Sequence, residues 1–249
     1  MNDVLGNALS DHYKIISRAN RGGNDRLYTS STAKLWVHHR LRDNKEEPRE
    51  VMPVDVFFRD MEAMPELEWV ALQQCRGRIL DIGAGAGSHA LALQRMGQDI
   101  TAMDISPQAV AIMKARGVKN VIEEDFFRLA PGKAYDTLLL LMNGIGISGT
   151  IDGLRQLLAK ARTLLQPGGQ LIFDSSDVAY LYNGKPPVME GYYGEILHQY
   201  EYRGQRSDWF KWLFIDKRTL KTIAAKEGWL VSLLYQDPWD QYLVRCRLR

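Results

Sequence analysis

The stretch Arg78-Ile79-Leu80-Asp81-Ile82-Gly83-Ala84-Gly85-Ala86-Gly87-Ser88-His89-Ala90-Leu91 constrains this chain more than any other. Ile79, Leu80 and Ile82 suit a parallel strand, because such strands are covered on both faces. Gly83 and Gly85 follow at once. Without a Cβ, a backbone can turn sharply there and come close to a ligand. Ala90, Leu91 and Leu93 then open a helical apolar face. Strand, glycine turn and helix in succession form the first unit of a doubly wound α/β sheet, whose ligands lie outside the carboxyl ends of the strands.

Downstream the alternation recurs. The first helix stops at Gly97, and Ile100-Thr101-Ala102-Met103 is a second strand ended by Asp104. Ser106-Pro107 supplies an N-cap and a proline at the first helical position. That helix carries Val110, Ile112 and Met113 and ends at Gly117. Residues 118–122 are a third strand, 137–142 a fourth and 171–173 a fifth. Between the last two, Leu154, Leu157, Leu158, Ala161 and Leu164 recur at helical spacing. After a helix over 217–227, the chain ends in two strands, 229–235 and 241–248. Asp237-Pro238-Trp239-Asp240 joins them and is too short for a crossover helix, so they pair antiparallel. The predicted fold is α/β: a doubly wound seven-stranded sheet, mostly parallel, with a C-terminal antiparallel hairpin, over residues 51–249. Pro53 with Val54, Phe57, Phe58 and Met61 predicts a helix leading in, and 66–74 predicts another.

Two segments do not belong to that alternation. Residues 1–50 are polar with scattered aromatics. Tyr13, Ile15 and Ile16 form a helical turn, Gly22-Gly23-Asn24 is a break, and 35–41 reads as a helix with a Trp/Leu face. Residues 175–207 form an insertion dense in tyrosine: Tyr180, Tyr182, Tyr192, Tyr193, Tyr200 and Tyr202. The fifth strand delivers that insertion to the carboxyl edge. The expectation is an N-terminal helical cap that closes with it as a lid, the rival being a homodimer contact.

Composition narrows the function. A net charge of +2 over 249 residues gives no global field for nucleic acid or anionic membrane. No apolar run nears the ~20 residues needed to span a bilayer. Cys75 and Cys246 form no motif, and no histidine pair has metal-ligand spacing, so no metal site is expected. With no basic-then-apolar start, a cytoplasmic location is the default.

Asp81-Ile82-Gly83-Ala84-Gly85-Ala86-Gly87 resembles motif I of the class I S-adenosylmethionine-dependent methyltransferases, an acidic residue before Gly-x-Gly-x-Gly. The dinucleotide fingerprint places its third small residue one position later, where this chain has Ser88. A terminal antiparallel hairpin is also similar to that family's seven-stranded sheet. The resemblance implies S-adenosylmethionine as cofactor. Asp81 would suit its cationic amine, with Gly83, Ala84, Gly85 and Gly87 forming the turn around it. Asp104, an acid at the tip of the second strand, can accept from both ribose hydroxyls. Ile105 would lie on the adenine, and Asp125 with Phe126 falls where the family places an acceptor for the adenine amine, Glu124 being the rival by type. Arg59 could pair with the cofactor carboxylate through its planar fork, against the alternative of a surface arginine. Asn143 either touches the methionine part or is a turn asparagine. The chain has Asn143-Gly144-Ile145-Gly146 where amino-methylating relatives carry Asn/Asp-Pro-Pro-aromatic.

The expected function is in-line methyl transfer to a small-molecule acceptor, with no nucleic-acid partner. No catalytic residue is assigned, since the activated donor leaves the protein mainly to align and exclude water. The alternatives are an NAD(P)-dependent oxidoreductase and a non-catalytic S-adenosylmethionine binder.

Overall fold

The computed structural model describes residues 3–19, 33–132, 134–186 and 191–249. In chain order come α1 (Val4–Ala19), β1 (Leu35–Arg40), β2 (Glu50–Met52), α2 (Glu66–Gln74), β3 (Arg78–Ile82) and α3 (Ser88–Arg95). Next are β4 (Asp99–Asp104), α4 (Pro107–Ala115), β5 (Asn120–Glu123), β6 (Tyr135–Leu140), α5 (Ile151–Leu164) and β7 (Leu165–Ser176). The chain then runs through β8 (Glu195–Tyr202), β9 (Gln205–Arg206), β10 (Phe210–Leu213), α6 (Lys217–Lys226), β11 (Trp229–Gln236) and β12 (Gln241–Leu248).

The main sheet has the order β11-β12-β7-β6-β3-β4-β5. β3 to β7 pair in parallel, and β12 runs antiparallel to both β7 and β11. Successive side chains on a strand face opposite ways, and the central strands divide their residues accordingly. Leu80, Leu138, Leu140, Phe173 and Val244 pack toward α5 and α6. Ile79, Leu139, Ile172 and Leu243 pack toward α2, α3 and α4. Each fully buried Leu, Ile or Phe contributes about 1.5–3 kcal/mol, so this double-sided core holds the carboxyl edge of β3, β4 and β6 rigid.

A second sheet, β10-β8-β1-β2 with β9 beside β8, corrects one expectation. Residues 35–40 are a strand, not a helix. Leu35 and Val37 are buried while Trp36 and His38 are half-buried, an alternation of period two. β1 finds hydrogen-bonding partners on both sides, β8 and β2. The N-terminal segment and the tyrosine-rich insertion therefore meet as neighbouring strands. Tyr28 and the Gly22–Asn24 break lie outside the described residues.

The helix expected from Pro53 is also corrected. Val54–Phe57 and Met61–Ala63 are separate single turns, with extended backbone at Asp60 between them. Phe57 and Phe58 pack with α1, while the next residue, Arg59, reaches back to Glu68. Neighbours pulled in two directions cannot keep one helical face. α1 itself lies over α4 and the glycine turn, where Leu9 is buried with Ala86, Ala109 and Ile112.

Candidate functional site

The glycine turn begins where β3 ends. Gly83 and Ala84 donate their N–H groups to Met103 O at 2.9 and 3.0 Å, tying the turn to the tip of β4. Gly83 has φ +71°, and a Cβ built on it meets nothing within 4 Å, so the space above it is open. Gly87 serves packing instead. With φ +83°, a Cβ there would stand 2.9 Å from Met113 Cγ and 3.1 Å from Val118 Cγ2. Gly85 lies under the Phe57 ring. Arg116 braces the loop, donating to Ala86 O at 2.6 Å and to Phe58 O at 3.1 Å.

Asp81 sits beneath this turn, 2% exposed, and its Oδ2 has no hydrogen-bond partner. Burial pushes its carboxyl up to about 6; His89 opposes the rise, while Asp104 and Glu68 add to it. Asp104 is anchored by backbone: Oδ2 accepts from Gly85 N–H and Oδ1 from Ser106 N–H, both at 2.9 Å. Burial raises its pKa and these bonds partly offset the rise. A carboxylate has about four acceptor positions, so the backbone bonds do not exhaust it. Ile105, next along, is a large apolar side chain that is 58% exposed at this edge. Asp3, at the start of the chain, reaches the same place and accepts from Ser106 Oγ at 2.5 Å.

The remaining candidates are placed differently. Asp125 Oδ1 accepts from Phe127 N–H at 2.9 Å, capping the short turn after β5, and Phe126 spends its ring in the core at 3% exposure. Arg59 forms an ion pair with Glu68, whose other oxygen is 2.8 Å from His89 Nε2. Asn143 stands at the carboxyl edge of β6 in the left-handed region, φ 55°. Its amide is tied down at both atoms: Oδ1 accepts from Ser175 Oγ at 2.9 Å and Nδ2 donates to Leu213 O at 3.2 Å. Its backbone N–H donates to the buried Asp174 carboxylate at 2.9 and 3.0 Å. Burial pushes the Asp174 carboxyl up to about 6. These bonds join the turn at Asn143 to the strand carrying Leu213.

Across from this edge lies one face of the second sheet. The registers place His39 and Phe210 opposite His198, and Trp212 opposite Ile196. Cross-strand partners share a face. Trp212 packs onto Gly146, just beyond β6, so this face looks toward the carboxyl edge. His198 is ringed by His39 at 4.5 Å, Phe214 at 5.7 Å, Phe210 at 6.0 Å and Trp212 at 6.3 Å between centroids. Burial, with His39 adding to it, drives the His198 pKa down to about 3, so its ring is neutral near pH 7. The four surrounding rings stay half-buried. Sequence reasoning gave no role to Glu68, His89 or His198. An acid in a first helical turn and isolated histidines carry no spacing signal.

Residues 79–169 match the family model of a methyltransferase domain. A crystal structure of an S-adenosylmethionine-dependent methyltransferase from Bacteroides fragilis, in complex with S-adenosyl-L-homocysteine, superposes with a TM-score of 0.81. It is 35% identical over 99% of this chain and 94% of that one. The chain belongs to the S-adenosylmethionine-dependent methyltransferases. Among curated relatives, a demethylmenaquinone methyltransferase from Tropheryma whipplei is 28% identical over 38% of this chain and 39% of its own length. A ubiquinone biosynthesis O-methyltransferase from Xanthomonas euvesicatoria is 24% identical over 44% of this chain and 48% of its own. The match therefore spans only about two fifths to one half of those relatives' length. Family membership accounts for Ser88 standing where a dinucleotide fold would need its third small residue, and it displaces the oxidoreductase alternative. No helix among the described residues is long and apolar enough to cross a membrane.

Proposed function

We propose that this chain binds S-adenosylmethionine at the carboxyl edge of β3 and β4 and transfers its methyl group to a small-molecule acceptor. The observation that carries the reading is the Asp81 carboxylate. It is buried, it has one oxygen without a partner, and it lies under the open space at Gly83. A buried unsatisfied carboxylate oxygen is costly, and an ammonium is the group that satisfies it best. Asp104 beside it can take ribose hydroxyls, and the exposed Ile105 offers an apolar face for a base. These residues fit the cofactor's three parts.

The bound sulfonium supplies an already activated methyl group. The protein has to hold, align and keep water out. Asp81 and Asp104 hold opposite ends of the cofactor. Asn143 fixes the turn after β6 against Ser175 and Leu213, which sets the distance between that turn and the aromatic face of the second sheet. That face, with His39, Phe210, Trp212 and Phe214 around a neutral His198, suits a flat or amphipathic acceptor. The quinone-pathway names of two relatives agree with this class. α1, β1 and the 175–207 segment act together as the lid.

Titration calorimetry tests the reading. Binding of S-adenosylmethionine and S-adenosylhomocysteine with no binding of NAD is expected. Binding of NAD alone would overturn it. Tight, salt-sensitive binding of an oligonucleotide would overturn the small-acceptor part, and bound cofactor without turnover of any acceptor would favour a non-catalytic binder.

A further inference from the structure

The group behind Asp81 is unusual for a surface-to-core boundary. Glu68, on α2, is 5% exposed, and His89, in the first turn of α3, is 7% exposed. Glu68 uses both oxygens: Oε1 takes Arg59 Nη2, and Oε2 is 2.8 Å from His89 Nε2. Its two oxygens thus meet a guanidinium and an imidazole from two different parts of the chain. Arg59 has no other protein partner among the described residues, so most of its five N–H donors are uncommitted. It follows directly on Phe57 and Phe58. Phe57 O accepts from Ser88 Oγ at 2.8 Å and Phe58 O accepts from Arg116, so this segment is stitched to the glycine turn. His89 and Asp81 lie within each other's field, each altering the other's titration. The chain of contacts Arg59–Glu68–His89 thus links an arginine with free donors to a carboxylate with a free oxygen, His89 lying within the field of Asp81. That arginine and that carboxylate complement the two charges of an α-amino acid.

We propose that Glu68 and His89 are positioning residues for the amino-acid end of the cofactor. Glu68 aims Arg59 at that end's carboxylate and holds His89 beside Asp81, which receives the ammonium. The chemistry explains why a buried carboxylate is retained here. A lone Arg59 would be a flexible side chain at the rim, and ordering it on binding costs rotamer entropy. Glu68 orders it in advance. His89 supplies a second reason. Burial opposes its charge, but the Glu68 hydrogen bond and the Asp81 field outweigh that and raise its pKa. When protonated, that imidazole faces Asp81 with the opposite sign and favours its ionised form.

This inference rests on the proposed cofactor, and the experiment separates the two. The probes are S-adenosylhomocysteine, which carries the amino-acid tail, and 5′-methylthioadenosine, which keeps the nucleoside and thioether but lacks the tail. Both are titrated into the full chain and into Glu68→Gln, His89→Gln and Arg59→Ala. Each variant should lose about tenfold or more in affinity for S-adenosylhomocysteine, the scale of one charge-assisted hydrogen bond. Affinity for methylthioadenosine should stay within about twofold. In the Glu68→Gln/Arg59→Ala double variant the losses should fall short of additive, because the first acts through the second. A general packing defect would lower both affinities in step, and that result overturns the proposal. Unchanged affinity for S-adenosylhomocysteine in Glu68→Gln and His89→Gln also overturns it. Arg59 is the most exposed of the three, its side chain at 18%, so its variant remains informative if a core variant folds poorly. Failure of the unaltered chain to bind either probe would remove the cofactor reading itself.

Discussion

Replacing Asp81 by asparagine should move stability and binding in opposite directions. In the folded chain the Asp81 carboxyl rises from 3.8 to about 6, with burial as the main cause. The folded form therefore holds its proton more tightly than the unfolded form. Stability then falls as pH rises between about 4 and 6, and the full cost is present above that window. At about 1.36 kcal/mol per pKa unit, the ionised side chain costs the ligand-free protein roughly 3 kcal/mol at pH 8. Asparagine carries no charge, but leaves an amide without a partner at about 1 kcal/mol. The variant should thus be more stable by about 2 kcal/mol at pH 8, and the advantage should vanish by about pH 4. Urea unfolding followed by tryptophan fluorescence at the two pH values reads this out. Affinity for S-adenosylmethionine should meanwhile drop about 10- to 150-fold, the loss of a charge-assisted contact worth roughly 1.5–3 kcal/mol. In the unaltered protein affinity should weaken as pH falls below about 6, because Asp81 then takes up a proton. A variant less stable at pH 8, or one binding the cofactor normally, would refute the assignment of the free oxygen to a cationic ligand.

Asp104→Ala should weaken S-adenosylhomocysteine and methylthioadenosine equally, by about 1–3 kcal/mol in calorimetry, because it acts on the ribose they share. Gly87→Val should destabilise the fold by about 2 kcal/mol or more in thermal unfolding, since its Cβ collides with Met113 at φ +83°. Gly83→Ala should cost only about 1–2 kcal/mol of backbone strain yet impair cofactor binding, since its Cβ points into open space. Asn143→Ala should lower kcat far more than cofactor affinity, because it loosens the link to the second sheet and leaves Asp81 and Asp104 in place. Hydrogen exchange should show α1 and β8 protected by cofactor plus acceptor, and protection that ignores ligand would leave the lid without support.

The main sheet was legible because its strands announce themselves twice. Each is apolar, and β3, β4 and β6 carry a polar residue, Asp81, Asp104 or Asn143, at or just beyond their carboxyl ends. Ser106 caps α4 through Ala109 N–H at 3.0 Å, as its position before Pro107 implies. Spacing likewise identified the glycine turn, but not what each glycine does there. Gly87 answers to α4, which is close only in three dimensions. Arg59 was visible as a cation upstream of the turn. Its partner Glu68 was not, because nine residues and an irregular segment separate them. Phe126 was placed by position alone, and position does not report that its ring packs into the core.

The second sheet was hidden for a related reason. Leu35–Arg40 pairs with Glu195–Tyr202 from the far side of the main domain. No local pattern can report a partner so distant in sequence, and His38-His39 beside Trp36 was compatible with either helix or strand. The pairing changes what the N-terminal region can be. β1 is an interior strand, flanked by β8 and β2, with Leu35 and Val37 buried. Removing residues 1–40 would leave β8 with an unpaired edge and two core positions vacant, so it cannot act as a clean removal of a cover. α1 packs on the same strands, with Val4 and Ala8 beside Leu35 and Tyr202. Asp3, just before it, accepts from Ser106, and its own Leu9 packs with Ala86, while the inner aromatic face belongs to the strands. The two parts of the N-terminal segment thus meet the two halves of the site. If cofactor and acceptor bind as proposed, α1 would lie over the adenosine edge and β1 would complete the wall facing the acceptor, so movement of either would be felt by both ligands.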